Sequence, residues 1–439
     1  MKTSFKKNSM ILFVASILII LMLSTSSASE PTIEFTYVPP RCSTDLLQGE
    51  VKNVNPANYK VAVFIFIPCA PDAAGWWTKP YSNSPLTPIS PDGKWACNIT
   101  TGGIDETATW ITAFLVPNGY IPPLCTQCSE IPPELYQYPY AQVKREMSRI
   151  ITFSGYEWEV KSMCDIEIEV GPGPNYFSDG EEDVWVDENG RLHLKITKRN
   201  EKWYCTEVFT KASLGYGKYI FHVTGKVDQL DKNVVLGLFT WDDIASDHHY
   251  REIDIELSRW GEETNENNAQ YVVQPWDDPG NTYRFHMDLK DEYSTHFFLW
   301  NRDTLYFQSL HGHPALPPAP EDIIESWIYH GNDIPPDGNE NARINLWLFN
   351  GNCPSDGKDV EIIIKSFEFI PNCECDLNHD HNCDMQDWLM FGEDWGRTDC
   401  IPSDPCECDL NQDGSCDMQD WLLFGEDWGR TDCPVYPQS

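Results

Sequence analysis

The stretch Arg251–Leu257, REIDIEL, places three acids at alternate positions with large aliphatic residues between them. The acids are Glu252, Asp254 and Glu256. Because side chains two residues apart on a strand point to the same face, this pattern predicts a β-strand with one acidic face and one buried face. The chain holds 68 acidic residues in 439, and Asp165–Glu169, DIEIE, repeats the alternation. The pattern therefore arises by chance in this composition, and its surroundings must decide its function.

The sequence around REIDIEL predicts an all-β domain. Short apolar and aromatic runs, separated by Gly, Asn and Asp turns, follow one another from residue 150 to residue 371, with few helical patterns. Many short strands at close spacing are typical of two packed antiparallel sheets. We therefore expect residues 150–371 to form one β-sandwich that contains the acidic strand.

The order of the motifs in this region resembles glycoside hydrolase family 16, the laminarinase and lichenase family of β-jelly rolls. The matching motifs are EIDIE, the preceding VVLGLFTW, the upstream GYG with Glu207 before it, and the downstream NLW. The resemblance runs from about Phe153 to Ile370. It implies a concanavalin-like jelly roll with the acidic strand in a substrate cleft. DIEIE has a different order of acids and none of these neighbours.

The resemblance implies distinct roles for the three acids. Glu252 would be the nucleophile that forms a glycosyl-enzyme intermediate, and Glu256 the acid/base. Asp254 would hydrogen-bond the nucleophile and separate the two titrations. A retaining glycosidase needs its carboxyl groups about 5–5.5 Å apart, whereas strand positions four residues apart are separated by about 13 Å. The two Glu side chains must therefore lean together, and the like charges should raise the pKa of Glu256.

The expected substrate is a β-1,3 or mixed β-1,3/1,4 glucan, cut by a secreted retaining endo-β-glucanase. Trp241, Trp260 and Trp276 are candidates for stacking on sugar rings, and Glu207 for accepting a sugar hydroxyl. Two alternatives remain open. One is a transglycosylase or galactanase of the same family, and the other is a non-catalytic glycan-binding or cell-surface structural protein that uses the same cleft.

The N-terminal part of the chain predicts a second, smaller β domain. Residues 30–123 carry strand patterns and frequent Pro and Gly, and residues 124–149 are Pro-rich and expected to be a linker. Cys125 and Cys128 form a C-x-x-C without a second ligand pair, which favours disulfide bonding over zinc. Tryptophans in this domain suit either sugar binding or core packing; they are Trp76, Trp77 and Trp95.

The C-terminal residues 373–433 are an internal repeat. The segment from Cys373 recurs from Cys406 with few changes. In each copy, oxygen-bearing residues occupy positions 1, 3, 5, 7, 9 and 12 of a loop that opens a helix, with position 7 offering its backbone carbonyl. This spacing predicts a structural Ca²⁺ site. The residues are Asp376, Asn378, Asp380, Asn382, Asp384 and Asp387, then Asp409, Asn411, Asp413, Ser415, Asp417 and Asp420.

The repeat pair resembles a dockerin, the module that docks enzymes on cohesin-bearing scaffolds. A cohesin-like scaffold or cell-surface partner is therefore expected. The pair departs from the family in several ways: position 6 of the first loop is His381 where the second has Gly414, and positions 10 and 11 are Met–Gln in both. Apolar residues near one helical face predict that the two repeats pack together; in the first helix they are Met385, Trp388, Leu389 and Trp395.

The cysteines do not determine their own pairing. Eight of the 16 lie in the repeats, which allows 105 connectivities. One candidate is Cys383 with Cys416, both at loop position 8. In the sandwich, Cys164 and Cys205 are a candidate pair, which leaves Cys353 over.

Residues 1–28 have the composition of a signal peptide. Lysines are followed by an apolar run, Met10–Leu23, and then by small residues. An uncleaved membrane anchor is the alternative, although the run is short for a span. A secreted or cell-surface protein, with no membrane contact after cleavage, is consistent with 16 cysteines. The net charge of −37 opposes nucleic acid or anionic membrane as a partner. We expect no cofactor for catalysis.

Overall fold

The computed structural model describes residues 29–68, 73–147, 149–164, 166–378, 380–400, 406–411 and 413–434. The predicted signal peptide, residues 1–28, lies outside these ranges. The helices within them are all too short, or too polar, to cross a membrane.

The N-terminal domain is built from two antiparallel sheets in the described part of the chain. β1, β2 and β6 form one, and β8, β4, β3, β7 and β9 form the other, with β5 beside β3. The two sheets share one cluster of buried aliphatic side chains, including Ile33, Leu47 and Val63. The strands are β1 (Thr32–Tyr37), β2 (Leu47–Lys52), β3 (Tyr59–Ile67), β4 (Gly75–Lys79), β5 (Leu86–Pro88), β6 (Lys94–Cys97), β7 (Trp110–Pro117), β8 (Thr126–Cys128) and β9 (Tyr140–Lys144), with 3₁₀ turns at Pro56–Asn58, Asp105–Thr107 and Pro133–Gln137.

Residues 124–144, which are most of the predicted linker at residues 124–149, belong to this domain. β8 pairs with β4, and β9 pairs with β7, so both are edge strands of the larger sheet. Proline is tolerated beside edge strands, which is why a Pro-rich composition misled the prediction. Cys125 and Cys128 form the predicted disulfide. Trp76 and Trp95 are buried core residues, and Trp77 is half-buried.

Residues 150–371 form the predicted β-jelly roll, which confirms the all-β fold class. One layer runs β20–β19–β18–β17–β24–β15, and the other runs β14–β25–β16–β21–β22–β23. The strands are β10 (Ile150–Phe153), β11 (Tyr156–Val160), β12 (Tyr176–Phe177), β13 (Val184–Val186), β14 (Leu192–Arg199), β15 (Lys202–Thr210), β16 (Gly217–Thr224), β17 (Val234–Trp241), β18 (Ile253–Leu257), β19 (Ala269–Val273), β20 (Thr282–Phe285), β21 (Tyr293–Trp300), β22 (Leu305–His311), β23 (Ile323–Tyr329), β24 (Asn341–Leu348) and β25 (Val360–Pro371), with 3₁₀ segments at Val227–Gln229, Ser246–Arg251, Pro320–Asp322 and Phe349–Gly351.

The core of the jelly roll lies between these two layers. Ile253 and Ile255 of β18 belong to one buried cluster together with Phe221 and Phe298 of the opposite layer. β14 connects the layers, because one end of it pairs with β15 and the rest pairs with β25. The second acidic alternation, DIEIE, does not form a strand where it is described. Residues 166–169 have no regular secondary structure, and Asp165 lies outside the described residues.

The N-terminal domain is joined to the jelly roll covalently. Cys42 forms a disulfide with Cys164. The proposed pair Cys164–Cys205 is therefore wrong. Cys205 lies on β15 with its side chain buried in the core, and it forms no disulfide within the described residues. The correct partner is 122 residues away in sequence and is brought close only by domain docking. Lys144 Nζ also donates to Asn341 Oδ1 across the interface (3.0 Å).

The two C-terminal repeats each form one short helix, α1 (Met385–Glu393) and α2 (Met418–Glu426). Phe391 and Phe424 are buried against each other, with ring centroids 4.8 Å apart, so the repeats pack together as predicted. The predicted apolar face is wrong in part. Met385 and Leu389 are 60% and 64% exposed, because the contact is made by the face that carries Phe391.

Four disulfides among the described residues hold the repeats, and the first two of them each close one loop on itself. The bonds are Cys375–Cys383, Cys408–Cys416, Cys400–Cys406 and Cys373–Cys433. The candidate pair Cys383–Cys416 is therefore wrong: each of these cysteines bonds the cysteine eight residues before it.

Candidate active site

The three acids of REIDIEL line one cavity of 200 Å³. β18 lies between β17 and β19, with Asp254 opposite Phe239 and Glu256 opposite Gly237. The aliphatic residues of β18 are buried in the core, so the intervening acids emerge on the cavity side. The predicted two-faced strand is therefore present, and Glu252, Asp254 and Glu256 are brought together.

A strained turn leads into the acidic strand. His249, Tyr250 and Arg251 have φ values of 48°, 59° and 52°, the left-handed region that side chains disfavour. Asp242 holds this turn: its N–H donates to Tyr250 O (2.7 Å), and its Oδ2 accepts from Arg251 Nε (3.1 Å). Strain of this kind persists only where the surroundings fix it. Here it sets the start of β18 and the position of Glu252.

Burial raises the pKa of all three acids. Burial is the largest cause of the shift at Glu256 and raises the pKa of this carboxyl group to about 7. Gln270 Nε2 donates a hydrogen bond to Glu256 Oε2 (2.8 Å), and this bond lowers the pKa and so opposes the rise. Burial and then the charge of Glu256 raise the pKa of Glu252 to about 8, and a hydrogen bond from Asp254 works against this. Burial and the two glutamates raise the pKa of Asp254 well above its ordinary value.

These shifts decide what the cavity can do chemically. Three carboxyl groups that repel one another in a poorly hydrated site do not all ionise near neutral pH. A hydrogen bond from a protonated Asp254 lowers the pKa of Glu252, but burial and the charge of Glu256 outweigh it, so the pKa of Glu252 stays above that of Glu256 in the free protein. The cavity can therefore hold a carboxylate and a carboxylic acid on one strand, the pair that acid–base and nucleophilic chemistry at a glycosidic bond requires.

Glu207 lines the same cavity but is engaged with two cations. Its Oε2 accepts from Lys161 Nζ (2.8 Å), and its Oε1 accepts from Arg343 Nη1 (3.1 Å). Burial alone would raise its pKa, but the two cations outweigh burial and lower it. Arg343 also donates to Asp243 Oδ1 (3.0 Å). The expected sugar-hydroxyl acceptor is thus the centre of a buried ion-pair network beside the triad.

The three tryptophans predicted for sugar stacking have different positions. Trp241 lines the cavity, donates from Nε1 to Asp243 Oδ1 (3.0 Å), and stacks on Tyr250 with ring centroids 4.4 Å apart. Trp260 packs instead against Trp347. Trp276 is 65% exposed in the loop after β19.

β24 contributes Arg343, which sequence reasoning missed, beside two residues of the NLW motif. Arg343, Asn345 and Trp347 alternate along this strand and all line the cavity. The Oδ1 atom of Asn345 is buried without a hydrogen-bond partner among the described residues, so it is available to a hydroxyl donor. A Cβ atom at Gly237 would lie 2.4 Å from this oxygen, which explains the glycine. The sequence signal that could have identified Arg343 is the alternation of polar and aliphatic residues in RINLW, which is the same pattern as in EIDIE.

The loops of the C-terminal repeats carry the carboxylate and amide oxygens that a calcium site needs. In the structure, some of these oxygens accept hydrogen bonds from backbone N–H groups of the same loop. Asp387 Oδ1 accepts from Asn378 N (3.1 Å) and its Oδ2 from Asp384 N (2.8 Å), and Asp420 repeats this pattern in the second loop. His381 takes a left-handed φ of 74° at position 6, as Gly414 does. Within the described residues, no three or more His, Cys, Asp and Glu side chains are arranged to hold a metal ion. Calcium binding stays a prediction.

Several solved structures are similar to about half of this chain. A Bacillus licheniformis beta-glucanase covers 49% of this chain and 92% of its own, at 16% identity and a TM-score of 0.36. A Mycobacterium tuberculosis protein described as a pseudo beta-1,3-glucanase matches over 49% of this chain and 91% of its own, at 16% identity and a TM-score of 0.37. A Mycobacterium marinum beta-1,3-glucanase matches over 48% of this chain and 90% of its own, at 15% identity and a TM-score of 0.36. No protein-family model and no curated protein sequence matches the chain.

Proposed function

We propose that the protein is a retaining glycoside hydrolase that cleaves β-1,3 or mixed β-1,3/1,4 glucan within the chain. The observation that carries the proposal is that Glu252, immediately before β18, and Asp254 and Glu256, on β18, line one cavity, with the pKa of Glu256 raised to about 7 by burial. A carboxyl group with such a pKa exists in both protonation states near neutral pH, as an acid/base must.

The proposed reaction takes two steps. In the first, a carboxylate oxygen of Glu252 attacks the anomeric carbon, the bond to the leaving sugar oxygen breaks, and Glu256 gives its proton to that oxygen. In the second, Glu256 removes a proton from water, the water oxygen bonds to the anomeric carbon, and the bond to Glu252 breaks. Two inversions at one carbon leave its configuration unchanged. Asp254 positions Glu252 through the hydrogen bond between them.

The proposal is tested by measuring reducing-sugar release from laminarin, lichenan and agarose. We expect cleavage of laminarin or lichenan, with the β configuration of the first product seen by NMR. Glu252→Gln and Glu256→Gln should each lower kcat by more than about a hundredfold. Glu188→Gln, at an exposed position of the same domain, is the matched control. Activity that survives both triad substitutions would contradict the assignment.

The alternatives appear as other outcomes of the same panel. Cleavage of agarose alone would identify a galactanase, and products longer than the substrate would identify a transglycosylase. Binding to laminarin without cleavage would identify a glycan-binding protein that uses the same cavity.

We further propose that the protein is secreted, and that its repeats bind Ca²⁺ and dock on a cohesin-like scaffold or cell-surface partner. A duplicated exposed apolar surface supports docking; it comprises Met385, Trp388 and Leu389 with Met418, Trp421 and Leu422. Asp and Asn oxygens at alternate loop positions support calcium. Loss of cohesin binding in Leu389→Asp with Leu422→Asp, but not in the exposed control Glu188→Gln, would test the docking surface; the absence of binding in the parent protein would contradict it.

A further inference from the structure

A second, larger cavity lies between the N-terminal domain and the jelly roll. Its volume is 390 Å³. The N-terminal domain contributes Phe66, Gln127 and Ser129, and the jelly roll contributes Trp241 and Tyr250. A cavity lined by aromatic rings with a few amide and hydroxyl groups has the composition of a binding site for a neutral polar ligand with apolar faces.

This inter-domain cavity adjoins the triad cavity. Trp241 lines both of them. A small third cavity of 30 Å³ lies beside them and shares Glu207 and Arg343 with the triad cavity, and Asp243 with the inter-domain cavity. The N-terminal domain therefore lies next to the triad cavity on the side where Trp241 stands.

The position of the N-terminal domain at this end of the cleft is fixed. The Cys42–Cys164 disulfide ties the domains together. Ile244, on the loop that follows Trp241, packs against the apolar cluster of the N-terminal domain that includes Phe66 and Trp76. The disulfide and this packing therefore hold the N-terminal residues that line the cavity in a fixed position beside the jelly roll.

We propose that the inter-domain cavity is an additional sugar-binding subsite, which takes one pyranose unit of a glucan chain whose scissile bond lies at the triad. This inference rests on the proposed function. The Trp241–Tyr250 pair, which lines this cavity, would contact the apolar face of the sugar ring, and Gln127 and Ser129 would bond its hydroxyls. The N-terminal domain then sets the minimum length of substrate that binds tightly.

The test compares long and short ligands in the full chain. Ser129 is exposed on the N-terminal side of the cavity, so Ser129→Trp should fill the cavity without disturbing the core. The matched control is Ser82→Trp, at an exposed position beyond the opposite end of β4. The probes are β-1,3-linked glucose oligomers of three and six units, and their affinities are measured by calorimetry in a Glu252→Gln background.

We expect Ser129→Trp to weaken hexasaccharide binding about tenfold and to leave trisaccharide binding within about twofold, with Ser82→Trp changing neither. Equal hexasaccharide affinities in the Ser129→Trp and Ser82→Trp proteins would overturn the inference, as would equal losses for both ligands. Hydrolysis by the wild-type protein is measured separately. Its absence would count against the proposed function alone, while the binding comparison still decides the subsite.

Discussion

Gln270 controls the proton affinity of Glu256 through one hydrogen bond. The bond (2.8 Å) favours the ionised carboxylate and so lowers the pKa of Glu256 against the rise caused by burial. In Gln270→Ala the pKa of Glu256 should rise. Glu256 then stays protonated to higher pH, and the basic limb of kcat/KM should move upward by about half to one pH unit.

The measurement is a pH profile of glucan hydrolysis. Gln142→Ala, which removes an amide that bonds Thr112 in the N-terminal domain, is the control. An unchanged basic limb in Gln270→Ala would show that Glu256 is not the acid in the reaction.

Asp254 makes the folded protein less stable as pH rises. Its pKa in the folded state lies well above its ordinary value because of burial and the two neighbouring glutamates. Between the unfolded and folded pKa values the folded state binds more protons, so this group's contribution to the free energy of unfolding falls as pH increases. Asp254→Asn removes this titration. At pH 8 its Tm should be about 2–4 °C higher than wild type, or roughly 1 kcal/mol, and near pH 4 the two should agree.

Calorimetry at both pH values checks this expectation. Asp247→Asn, at an exposed position in the loop before β18, should change neither Tm. A lower Tm for Asp254→Asn at pH 8 would mean that the aspartate is stabilising as an anion.

At the scale of elements, the acidic strand was predictable and its neighbours were not. The period-two alternation of EIDIE fixes which side chains share a face of β18. Neither the pairing of β24 with β17 nor the resulting approach of Arg343 to Glu207 can be derived from local pattern. These contacts join residues 100 or more positions apart, and only the folded sheet order brings them together.

The positions of the tryptophans and the partner of Cys164 could not be derived from the sequence for a related reason. A tryptophan near the acidic strand in sequence can face the cavity, the core or solvent, and Trp241, Trp260 and Trp276 lie in three different environments. A disulfide depends on which backbones meet, so the docking of two domains decided the partner of Cys164.

The loops that precede α1 and α2 should respond to calcium. Bound Ca²⁺ would neutralise the acids that each loop brings together and hold the loop in one conformation. We expect removal of calcium with a chelator to speed proteolysis of residues 373–433 several-fold, followed on reducing gels. Asp387→Asn with Asp420→Asn should reproduce the effect without chelator, and Asp399→Asn, outside the loops and exposed, should not. Cleavage rates indifferent to chelator would contradict the calcium prediction.

At the scale of the molecule, one disulfide fixes the N-terminal domain beside the cleft. Cys42–Cys164 closes a loop of more than a hundred residues, so it removes much conformational freedom from the unfolded chain. We expect Cys42→Ser with Cys164→Ser to lower the free energy of unfolding by about 2–4 kcal/mol, measured by calorimetry under non-reducing conditions. Cys353→Ser, at an exposed cysteine that forms no disulfide within the described residues, is the control. An unchanged Tm in the double variant would show that the domain interface alone holds the two units together.

The Cys373–Cys433 bond has a consequence for the life of the repeat module. It ties the first residue of the module to its last, at a sequence separation of 60, so the polypeptide from one cysteine to the other is a covalent ring. A linear module that is cut once loses everything beyond the cut. A ring that is cut once merely opens, and both ends remain attached. One hydrolytic cut inside the module therefore leaves the rest of the chain joined to both helices, and release of a piece requires a second cut.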